Sequence, residues 1–270
     1  MQTRYADTPR GRMAYTDDGA GEGTPLLLVH GLPTAKELWD PVRPHLAPRR
    51  TIALDLHDYG ESDRVTAPIR HPDRAATIDA LRAALGLDRI VLVAHDLGAS
   101  VAVDYLGAFA DRVEKLVIMS PPVWPDFREP AVVKLVRTPG LGEALLRLMS
   151  RRLLDRSIRR GMAHPERYTP AIAAALHRAY AGPDGRAALI RDLRWGRPAD
   201  MFAAYPAIMA AITAPTLVLH GDRDPYIPRE HAERMAATIP DARFELIPDA
   251  AHFLPIDAPE AIAAAINRFL

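Results

Sequence analysis

Short apolar runs bounded by turn residues recur along the chain and predict buried strands. Runs of this kind are typical of strands that helices cover on both faces, as in a parallel sheet. Between several of them the apolar residues recur at helical spacing, and this alternation predicts a mostly parallel, doubly wound α/β sheet. The predicted strands lie at 25–31, 51–56, 90–96, 113–120, 215–222 and 243–250, and the predicted helices lie at 71–86, 97–110, 228–240 and 258–270.

One long interval contains no strand-like run. Between residues 121 and 213 only helical patterns occur, and the interval begins with the stiff, proline-containing stretch SPPVWPDF. Because it separates two strands of one sheet, this interval predicts an inserted helical lid. The expected organisation is a core domain of residues 1–120 and 214–270 with a lid domain of residues 121–213. Such a lid would cover the carboxyl ends of the strands, where open α/β sheets bind ligands.

Composition excludes several function classes. Lysine plus arginine number 34, as do aspartate plus glutamate, so no overall field would attract nucleic acid or an anionic membrane. The absence of cysteine excludes thiol nucleophiles and cysteine-ligated metals, and without a glycine-rich phosphate loop or a metal-spaced histidine pair we expect no cofactor and no metal. No apolar run approaches ~18 residues, and the N-terminal stretch lacks a signal-like apolar core. We therefore expect a cytoplasmic protein, monomer or homodimer, with no membrane partner.

The stretch VLVAHDLGAS at 91–100 predicts a buried strand, a sharp turn and a helix. Many hydrolases carry a serine nucleophile at the tip of such a turn, inside the motif G-x-S-x-G. Here the tip residue is Asp96, and the small residues that begin at Gly98 allow the helix to approach the sheet closely. The sequence therefore places a carboxylate where a nucleophile is expected.

Three further segments place functional groups directly after predicted strands. GDRDPYIP supplies Asp222 and Asp224, DAAHFLP supplies His252, and HGLP at 30–33 follows the first apolar run. The carboxyl ends of parallel strands share one edge of a sheet, so these residues should meet near Asp96.

Five stretches stand together in the order of a known family: HGLPTAKELW, DLHDYGESDR, VAHDLGAS, GDRDPYIP and AHFLPIDAPE. With them the chain resembles the α/β-hydrolase superfamily over its whole length, and in particular its branch with an aspartate nucleophile: epoxide hydrolases, haloalkane dehalogenases and fluoroacetate dehalogenases. The resemblance implies the α/β-hydrolase fold, with Asp96 as nucleophile, His252 as base and Asp224 as orienting acid. It also implies an oxyanion hole formed by the backbone N–H groups of Leu32 and Leu97.

Several of these residues have plainer interpretations. An aspartate between a strand and a helix is most often an N-cap, and His252 alone would be an ordinary loop histidine. The five stretches in register favour the catalytic roles instead. Asp222 competes with Asp224 for the acid, Asp126 in the hinge is a further alternative, and His95 beside the nucleophile position is expected to be structural.

Two further stretches are interpreted without a catalytic role. His57 and Asp58 depart from the usual small-residue turn of the family, and we expect them at the surface or at the mouth of the site. The arginine-rich stretch RRLLDRSIRR at 151–160 could bind anions, but its arginines alternate with leucines at helical spacing. This pattern favours a solvated helix face.

An aspartate nucleophile restricts the reaction. Attack on an ester would give a high-energy anhydride, whereas attack on the saturated carbon of an epoxide or an alkyl halide gives a stable alkyl ester. Aspartate is already ionised near neutral pH, so His252 would activate the water that hydrolyses this ester. The N–H groups of Leu32 and Leu97 would stabilise the oxyanion, and Asp224 would hold the His252 tautomer.

The leaving group separates the members of this branch. Haloalkane dehalogenases bind the halide with a tryptophan after the nucleophile and an asparagine in the H-G-x-P position, where this chain has Leu97 and Leu32. Fluoroacetate dehalogenases use an arginine beside the nucleophile, which DLGASVA lacks. We therefore expect an epoxide hydrolase acting on a small apolar organic substrate, with a haloalkane or fluoroacetate-type dehalogenase as the alternative. The candidate substrate-binding residues are His30, Trp124, Tyr168, Tyr180, Trp195 and Tyr205.

Two other classes of function stay open. A non-catalytic binder of a small apolar ligand could use the same fold, although it would have no need of His252. A lactonase or esterase could use Asp96 as a base toward water, and it would then form no covalent adduct.

Overall fold

A computed structural model describes residues 1–19, 21–180, 182–194 and 196–270, and its strands form one eight-stranded sheet. The strands are β1 (Arg4–Thr8), β2 (Gly11–Asp17), β3 (Leu26–Val29), β4 (Thr51–Leu54), β5 (Ile90–His95), β6 (Val113–Met119), β7 (Thr216–Gly221) and β8 (Ala242–Ile247). Their order across the sheet is β1-β2-β4-β3-β5-β6-β7-β8. Strand β2 is antiparallel to β1 and β4, and the other neighbours are parallel. The mostly parallel sheet predicted from the sequence is therefore confirmed.

The first two strands escaped the sequence analysis. They form an antiparallel hairpin in which Arg4 lies opposite Tyr15 and Thr8 opposite Gly11. Strand β1 is an edge strand and is largely exposed, so it has no apolar run that would mark it as buried. Most of β2 is buried, but its sequence GRMAYTD contains only a short apolar run, so neither strand of the hairpin carries the signal that marks the parallel strands.

From β4 onward the helices alternate with the strands, except in the long interval between β6 and β7. They are α1 (His71–Ala84), α2 (Leu97–Phe109), α3 (Ala131–Arg137), α4 (Leu141–Leu148), α5 (Arg151–Arg160), α6 (Pro170–Tyr180), α7 (Gly182–Arg194), α8 (Pro198–Met201), α9 (Tyr205–Ala210), α10 (Arg229–Thr238), α11 (Leu254–Asp257) and α12 (Pro259–Phe269). Helices α3 to α9 all lie between β6 and β7, and the described part of that interval contains no strand. We refer to residues 121–213 as the lid; their separation into a domain of their own stays a prediction.

The core positions the ends of the central strands. Every residue of β3, β4, β5 and β7 is buried, and burying one such aliphatic side chain contributes roughly 1.5–3 kcal/mol. Helices α1 and α2 pack against each other, and α10 packs against β7 and β8. The loops that leave the carboxyl ends of these strands therefore start from fixed points.

Lid helix α7 is attached to the core by two ion pairs. Arg74 of α1 is completely buried, and its Nη2 donates to Oδ1 of Asp192 at 2.8 Å. The Tyr59 hydroxyl hydrogen-bonds the same carboxylate. Beside this contact, Nη2 of Arg191 donates to Oδ1 of Asp58 at 3.1 Å.

These contacts correct the expectation for His57 and Asp58. Both residues are buried, so their predicted position at the surface or at the mouth of the site was wrong. The carbonyl oxygen of His57 accepts a hydrogen bond from Arg74 Nη1 at 2.6 Å, and its Nε2 lies 2.9 Å from the Thr8 hydroxyl. Asp58 has a φ of 73° and also accepts from the Val65 N–H at 3.1 Å. The pair joins this turn to α1 and to the lid.

Candidate active site

Asp96 lies at a sharp turn between β5 and α2. Its φ of 51° and ψ of −120° are a backbone conformation that residues with a side chain rarely adopt. The turn is possible because glycines occupy two positions where the backbone passes close to it. A Cβ on Gly31 would lie 2.5 Å from the Asp96 Cβ, and a Cβ on Gly98 would lie 2.6 Å from the His30 carbonyl oxygen. The strained turn holds the carboxylate at the carboxyl edge of the sheet.

Backbone N–H groups bind one side of the Asp96 carboxylate. The Leu32 N–H donates to Oδ1 at 2.8 Å, and the Leu97 N–H also donates to the carboxylate. The other oxygen, Oδ2, lies 3.5 Å from Nε2 of His252. The two oxygens therefore have different environments, one held by the backbone and one facing the imidazole.

The His252 ring is held from its other side by Asp224. Its Nδ1 lies 3.0 Å from Asp224 Oδ2. Oδ1 of Asp224 accepts from the N–H groups of Tyr226 and Ile227 at 2.9 and 3.1 Å, while Oδ2 also accepts from the Ser120 hydroxyl at 2.7 Å. The Asp224 side chain has no exposed surface. These contacts fix the orientation of the imidazole.

The other two acids lie elsewhere. Asp222 is exposed, and its Oδ1 accepts from the Ala250 N–H at 3.2 Å. Asp126 is exposed and pairs with Arg234 at 3.0 Å. Of the three carboxylates considered from the sequence, Asp224 is the one in contact with His252.

Burial and charge shift the pKa values of this group. Burial raises the pKa of Asp224, but His252 and the hydrogen bonds together hold it well below its usual range. Burial alone would lower the pKa of His252, yet the carboxylates of Asp224 and Asp96 raise it above the ordinary value. Burial raises the pKa of Asp96, although His252 and the two backbone N–H groups oppose this.

Two supporting residues complete the arrangement. Ser120, whose φ is 45°, was seen in the sequence only as the end of a strand, and its hydroxyl binds Asp224. Burial lowers the pKa of His95 to about 3, so the ring is neutral at pH 7. Its Nε2 donates to the His252 carbonyl oxygen at 2.8 Å. A small polar residue at the end of the strand before the lid is the one signal that could have indicated Ser120.

A cavity of about 260 Å³ lies between the core and the lid. Asp96 and His252 reach it from the core, and its lid side is largely apolar, with Leu146, Met149 and Leu154 among its lining residues. The arrangement can therefore hold a small apolar molecule against a carboxylate.

The first of the predicted substrate-binding residues, His30, does not line this cavity. Burial lowers its pKa to about 4, so the ring is neutral. The Leu56 N–H donates to Nε2 at 3.1 Å, which leaves Nδ1 to donate to the Gly31 carbonyl oxygen at 2.9 Å. His30 therefore supports the loop that carries the Leu32 N–H, and its contact with substrate stays a prediction.

Three of the predicted lid donors bond to other protein groups. Trp124 Nε1 donates to the His231 carbonyl oxygen at 2.9 Å, and the Tyr168 hydroxyl donates to Asp155 at 2.9 Å. The Tyr205 hydroxyl hydrogen-bonds the Asp104 carboxylate and lies 2.9 Å from the carbonyl oxygen of Ser100. These polar groups already have protein partners, and their contact with substrate stays a prediction.

The last two lid candidates differ from these. Tyr180 is 5% exposed, and its hydroxyl has no hydrogen-bond partner among the described residues. It does not belong to the cavity lining, but it is close enough for the charges of Asp192 and Asp96 to contribute to its raised pKa, after the larger effect of burial. Trp195 lies outside the described residues.

Neither a metal cluster nor a membrane helix is found in the described ranges. No group of three or more histidine or carboxylate side chains in them is arranged to hold a metal ion. None of the helices described above combines the length and the apolarity needed to cross a bilayer.

The sheet order, the strained turn at Asp96 and the His252–Asp224 pair together define the architecture of an α/β hydrolase. The sequence profile of the alpha/beta hydrolase family matches residues 26–265, and the chain belongs to this family. The resemblance and the fold expected from the sequence are thereby confirmed.

Individual proteins similar to this chain include haloalkane dehalogenases and an epoxide hydrolase. A haloalkane dehalogenase of Mesorhizobium japonicum is 31% identical, over 96% of this chain and 87% of that protein. Epoxide hydrolase 2 of Caenorhabditis elegans is 25% identical, over 96% of this chain and 77% of that protein. The crystal structure of DBJA, in its mutant form dbja delta, is 27% identical with a TM-score of 0.86, covering 100% of this chain and 98% of that one.

Proposed function

We propose that this protein is a hydrolase that attacks a saturated carbon through Asp96 and forms an alkyl ester on that side chain. The observation that carries the proposal is the carboxylate itself, with Oδ1 bound by the Leu32 N–H and Oδ2 facing His252. The haloalkane dehalogenases and the epoxide hydrolase among its relatives act on substrates with such carbons, which supports the same class of substrate here.

In the first step Oδ2 of Asp96 attacks the substrate carbon. A bond forms between Oδ2 and that carbon, and the bond from the carbon to the leaving group breaks, with both electrons going to the leaving group. Oδ1 becomes the carbonyl oxygen of the ester and stays in contact with the N–H groups of Leu32 and Leu97. The apolar cavity excludes water from the carboxylate during the attack.

In the second step His252 takes a proton from water as the water oxygen attacks Cγ of Asp96. Negative charge develops on Oδ1, where each backbone donor contributes about 3–4 kcal/mol in comparable sites. Asp224 stabilises the imidazolium that forms. When the intermediate collapses, the bond from Cγ to the original Oδ2 breaks, the departing oxygen takes the proton from His252 and leaves as the alcohol, and the water oxygen remains in the carboxylate.

We propose epoxides as the substrate class. A halide leaving group needs N–H donors, and the side chains of Leu32 and Leu97 offer none, while Trp124 Nε1 is bonded to His231. An opening epoxide needs a proton instead, and the buried Tyr180 hydroxyl is a protonated group without a partner among the described residues. The 31% identity to a haloalkane dehalogenase makes alkyl halides the second candidate class.

A trapped adduct tests both the mechanism and the substrate class. The variant His252→Gln should accumulate the alkyl ester, because its first step needs no base. Intact mass after incubation with styrene oxide should rise by the whole epoxide mass; with 1-bromohexane it would rise by the mass of the halide minus HBr. Adding Tyr180→Phe to the His252→Gln variant should slow labelling by the epoxide and leave labelling by 1-bromohexane unchanged. If 1-bromohexane labelled the protein and styrene oxide did not, the proposed substrate class would be alkyl halides instead of epoxides.

Single turnover in heavy-oxygen water separates this proposal from the other two classes. Product of the first turnover should carry the oxygen of Asp96 rather than solvent oxygen. An esterase that uses Asp96 as a base would give solvent oxygen from the first turnover. A pure binder would be thermally stabilised by ligand and would give no product, with Asp96→Asn making no difference.

A further inference from the structure

The outer side of the lid carries most of the large apolar side chains that are exposed in the described part of the chain. Six of eight such residues lie between residues 132 and 153. On α4 they recur at i, i+4 and i+7, so they form one stripe along the helix. The six are Val132, Leu135, Leu141, Leu145, Leu148 and Leu153, and with the exposed basic residues of 131–160 we call them the lid face.

The lid face is also strongly basic. Residues 131–160 contain eight basic and two acidic side chains, in a chain whose basic and acidic residues are equal in number. Both acids are already engaged: Glu143 binds Arg194 at 2.6 Å, and Asp155 accepts from the Tyr168 hydroxyl at 2.9 Å. Five exposed arginines make no ion pair with any described residue, namely Arg147, Arg151, Arg152, Arg156 and Arg160.

Helix α5 arranges its arginines around a hollow. Leu154 and Ile158 point into the lid, which leaves the opposite side of the helix to the solvent. There a shallow concave surface is lined by Asp155, Arg152, Arg156, Arg159 and Arg160, of which Arg159 also donates to the carbonyl oxygens of Pro165 and Tyr168. Several guanidinium groups around one hollow match the geometry of a phosphate group.

We propose that the lid face docks on an anionic phospholipid surface. The leucines of α4 would enter the boundary between headgroups and acyl chains, and the arginines of α5 would bind the headgroup phosphates. The leucines of α4 and the arginines of α5 are adjacent along the chain, because Arg151 and Arg152 lie between Leu148 and Leu153. The overall charge balance had predicted no membrane partner, but the uneven distribution of that charge indicates one.

Other occupants explain only part of the lid face. A second copy in a twofold contact would bring this basic surface against itself, where like charges repel. Free phosphate would fill the hollow on α5 but would leave the leucines of α4 exposed to water. An acidic protein partner or a nucleic acid would likewise not account for a stripe of leucines.

The cavity of the candidate active site reaches the same surface. Val136, Leu146 and Leu154 line it from within the lid, while Val132 both lines it and is 55% exposed. An apolar substrate dissolved in the lipid would therefore meet the cavity directly at the docked surface. This consequence rests on the proposed function, whereas the docking itself does not.

Vesicle flotation of the full chain tests the docking without any substrate. We expect the protein to float with vesicles of phosphatidylcholine and phosphatidylglycerol at 7:3, and far less with phosphatidylcholine alone. Because the arginines act through screened charge, the bound fraction should fall when NaCl is raised from about 50 to about 500 mM. Equal binding to both vesicle types, or no binding at low salt, would overturn the proposal.

Matched variants locate the contact. Arg152→Gln with Arg156→Gln should weaken the vesicle partition coefficient by about tenfold or more, and Leu145→Ser with Leu148→Ser by a similar factor. The control Arg89→Gln with Arg243→Gln removes the same charge from exposed sites outside the lid and should retain most of the binding. All variants should keep the thermal transition of the parent, since every altered side chain is exposed.

Two further measurements would show whether something other than lipid binds the lid face. Light scattering that shows a dimer, dissociated by Leu148→Ser, together with no flotation would assign the lid face to a second copy. Calorimetric binding of inorganic phosphate alone, without flotation, would assign the hollow on α5 to a free anion. Either result overturns docking on lipid, and neither bears on the alkyl-enzyme mechanism.

Discussion

The core half and the lid half of the candidate site are built in different ways. On the core side, Asp96, His252 and Asp224 are linked to one another, to the Ser120 hydroxyl and to backbone N–H groups by hydrogen bonds and close contacts of 2.7–3.5 Å. On the lid side, the cavity wall is largely apolar, and α7 is tied to the core through the pairs of Asp192 and Arg191.

This difference separates the reaction from the choice of substrate. Hydrogen-bonded groups at strand ends fix the nucleophile and the base within a few tenths of an ångström, which chemistry requires. Apolar packing tolerates changes of shape as long as volume is kept. The lid can therefore change its preferred substrate without altering the reacting groups.

The largest effect is expected when the nucleophile is removed from the core half. Asp96→Ala should lower kcat by about 10⁴-fold or more, because no alkyl ester can form. The control Asp222→Asn alters an exposed acid of the neighbouring loop and should change kcat less than twofold. Both are measured by product formation and intact mass. Turnover of Asp96→Ala within tenfold of the parent would show that the lid, not the core, supplies the reacting group.

A second change in the core half affects the base. Asp224→Asn should lower kcat by about 10²- to 10⁴-fold, since the imidazolium loses its partner. The base works only when neutral, so activity falls as the pH drops through the pKa of His252. The Asp224 carboxylate raises that pKa, and its removal should move the acid limb of the pH–rate profile to lower pH. A limb that stays in place or moves upward contradicts this arrangement.

Replacing Arg74 breaks the connection between the core half and the lid half. Arg74→Met should lower the free energy of unfolding by about 3–5 kcal/mol, because it leaves the buried Asp192 carboxylate without its cation. Arg74→Met with Asp192→Leu should lose much less. As the control, Arg229→Gln breaks an exposed pair with Glu233 and should cost below about 0.5 kcal/mol. Chemical denaturation measures all three. A double variant that is no more stable than Arg74→Met would show that the ion pair is not the link.

The core half was largely predictable from the sequence. Buried apolar runs marked the parallel strands, and the polar residues directly after them, such as Asp96 and His252, had to meet at one edge. The roles of Asp96, His252 and Asp224 came from the resemblance, and the structure supplies their distances. Ser120 escaped, because its position at a strand end does not indicate that its hydroxyl binds a residue 104 positions away.

The lid half was much less predictable. Tyrosine and tryptophan were named there by residue type, but a hydroxyl or an indole N–H binds whichever acceptor packing brings near. Tyr205 reaches a carbonyl of α2, and Trp124 reaches one of α10. Asp58 and Arg191, which join lid and core, are 133 positions apart. Such partners depend on tertiary contacts that hydrophobic periodicity does not encode.

The smallest expected effect concerns the backbone strain of the core half. Asp96 has a positive φ, which costs a residue with a Cβ about 1–2 kcal/mol and costs glycine almost nothing. Asp96→Gly and Asp96→Ala both remove the buried carboxylate, so their difference isolates the strain. We expect the glycine variant to be more stable by about 1 kcal/mol in chemical denaturation, with both inactive. In the lid, Ala144 lies within a regular helix, and Ala144→Gly should have the opposite sign, a loss of about 0.5–1 kcal/mol. If Asp96→Ala were as stable as Asp96→Gly, the backbone at position 96 would not be strained.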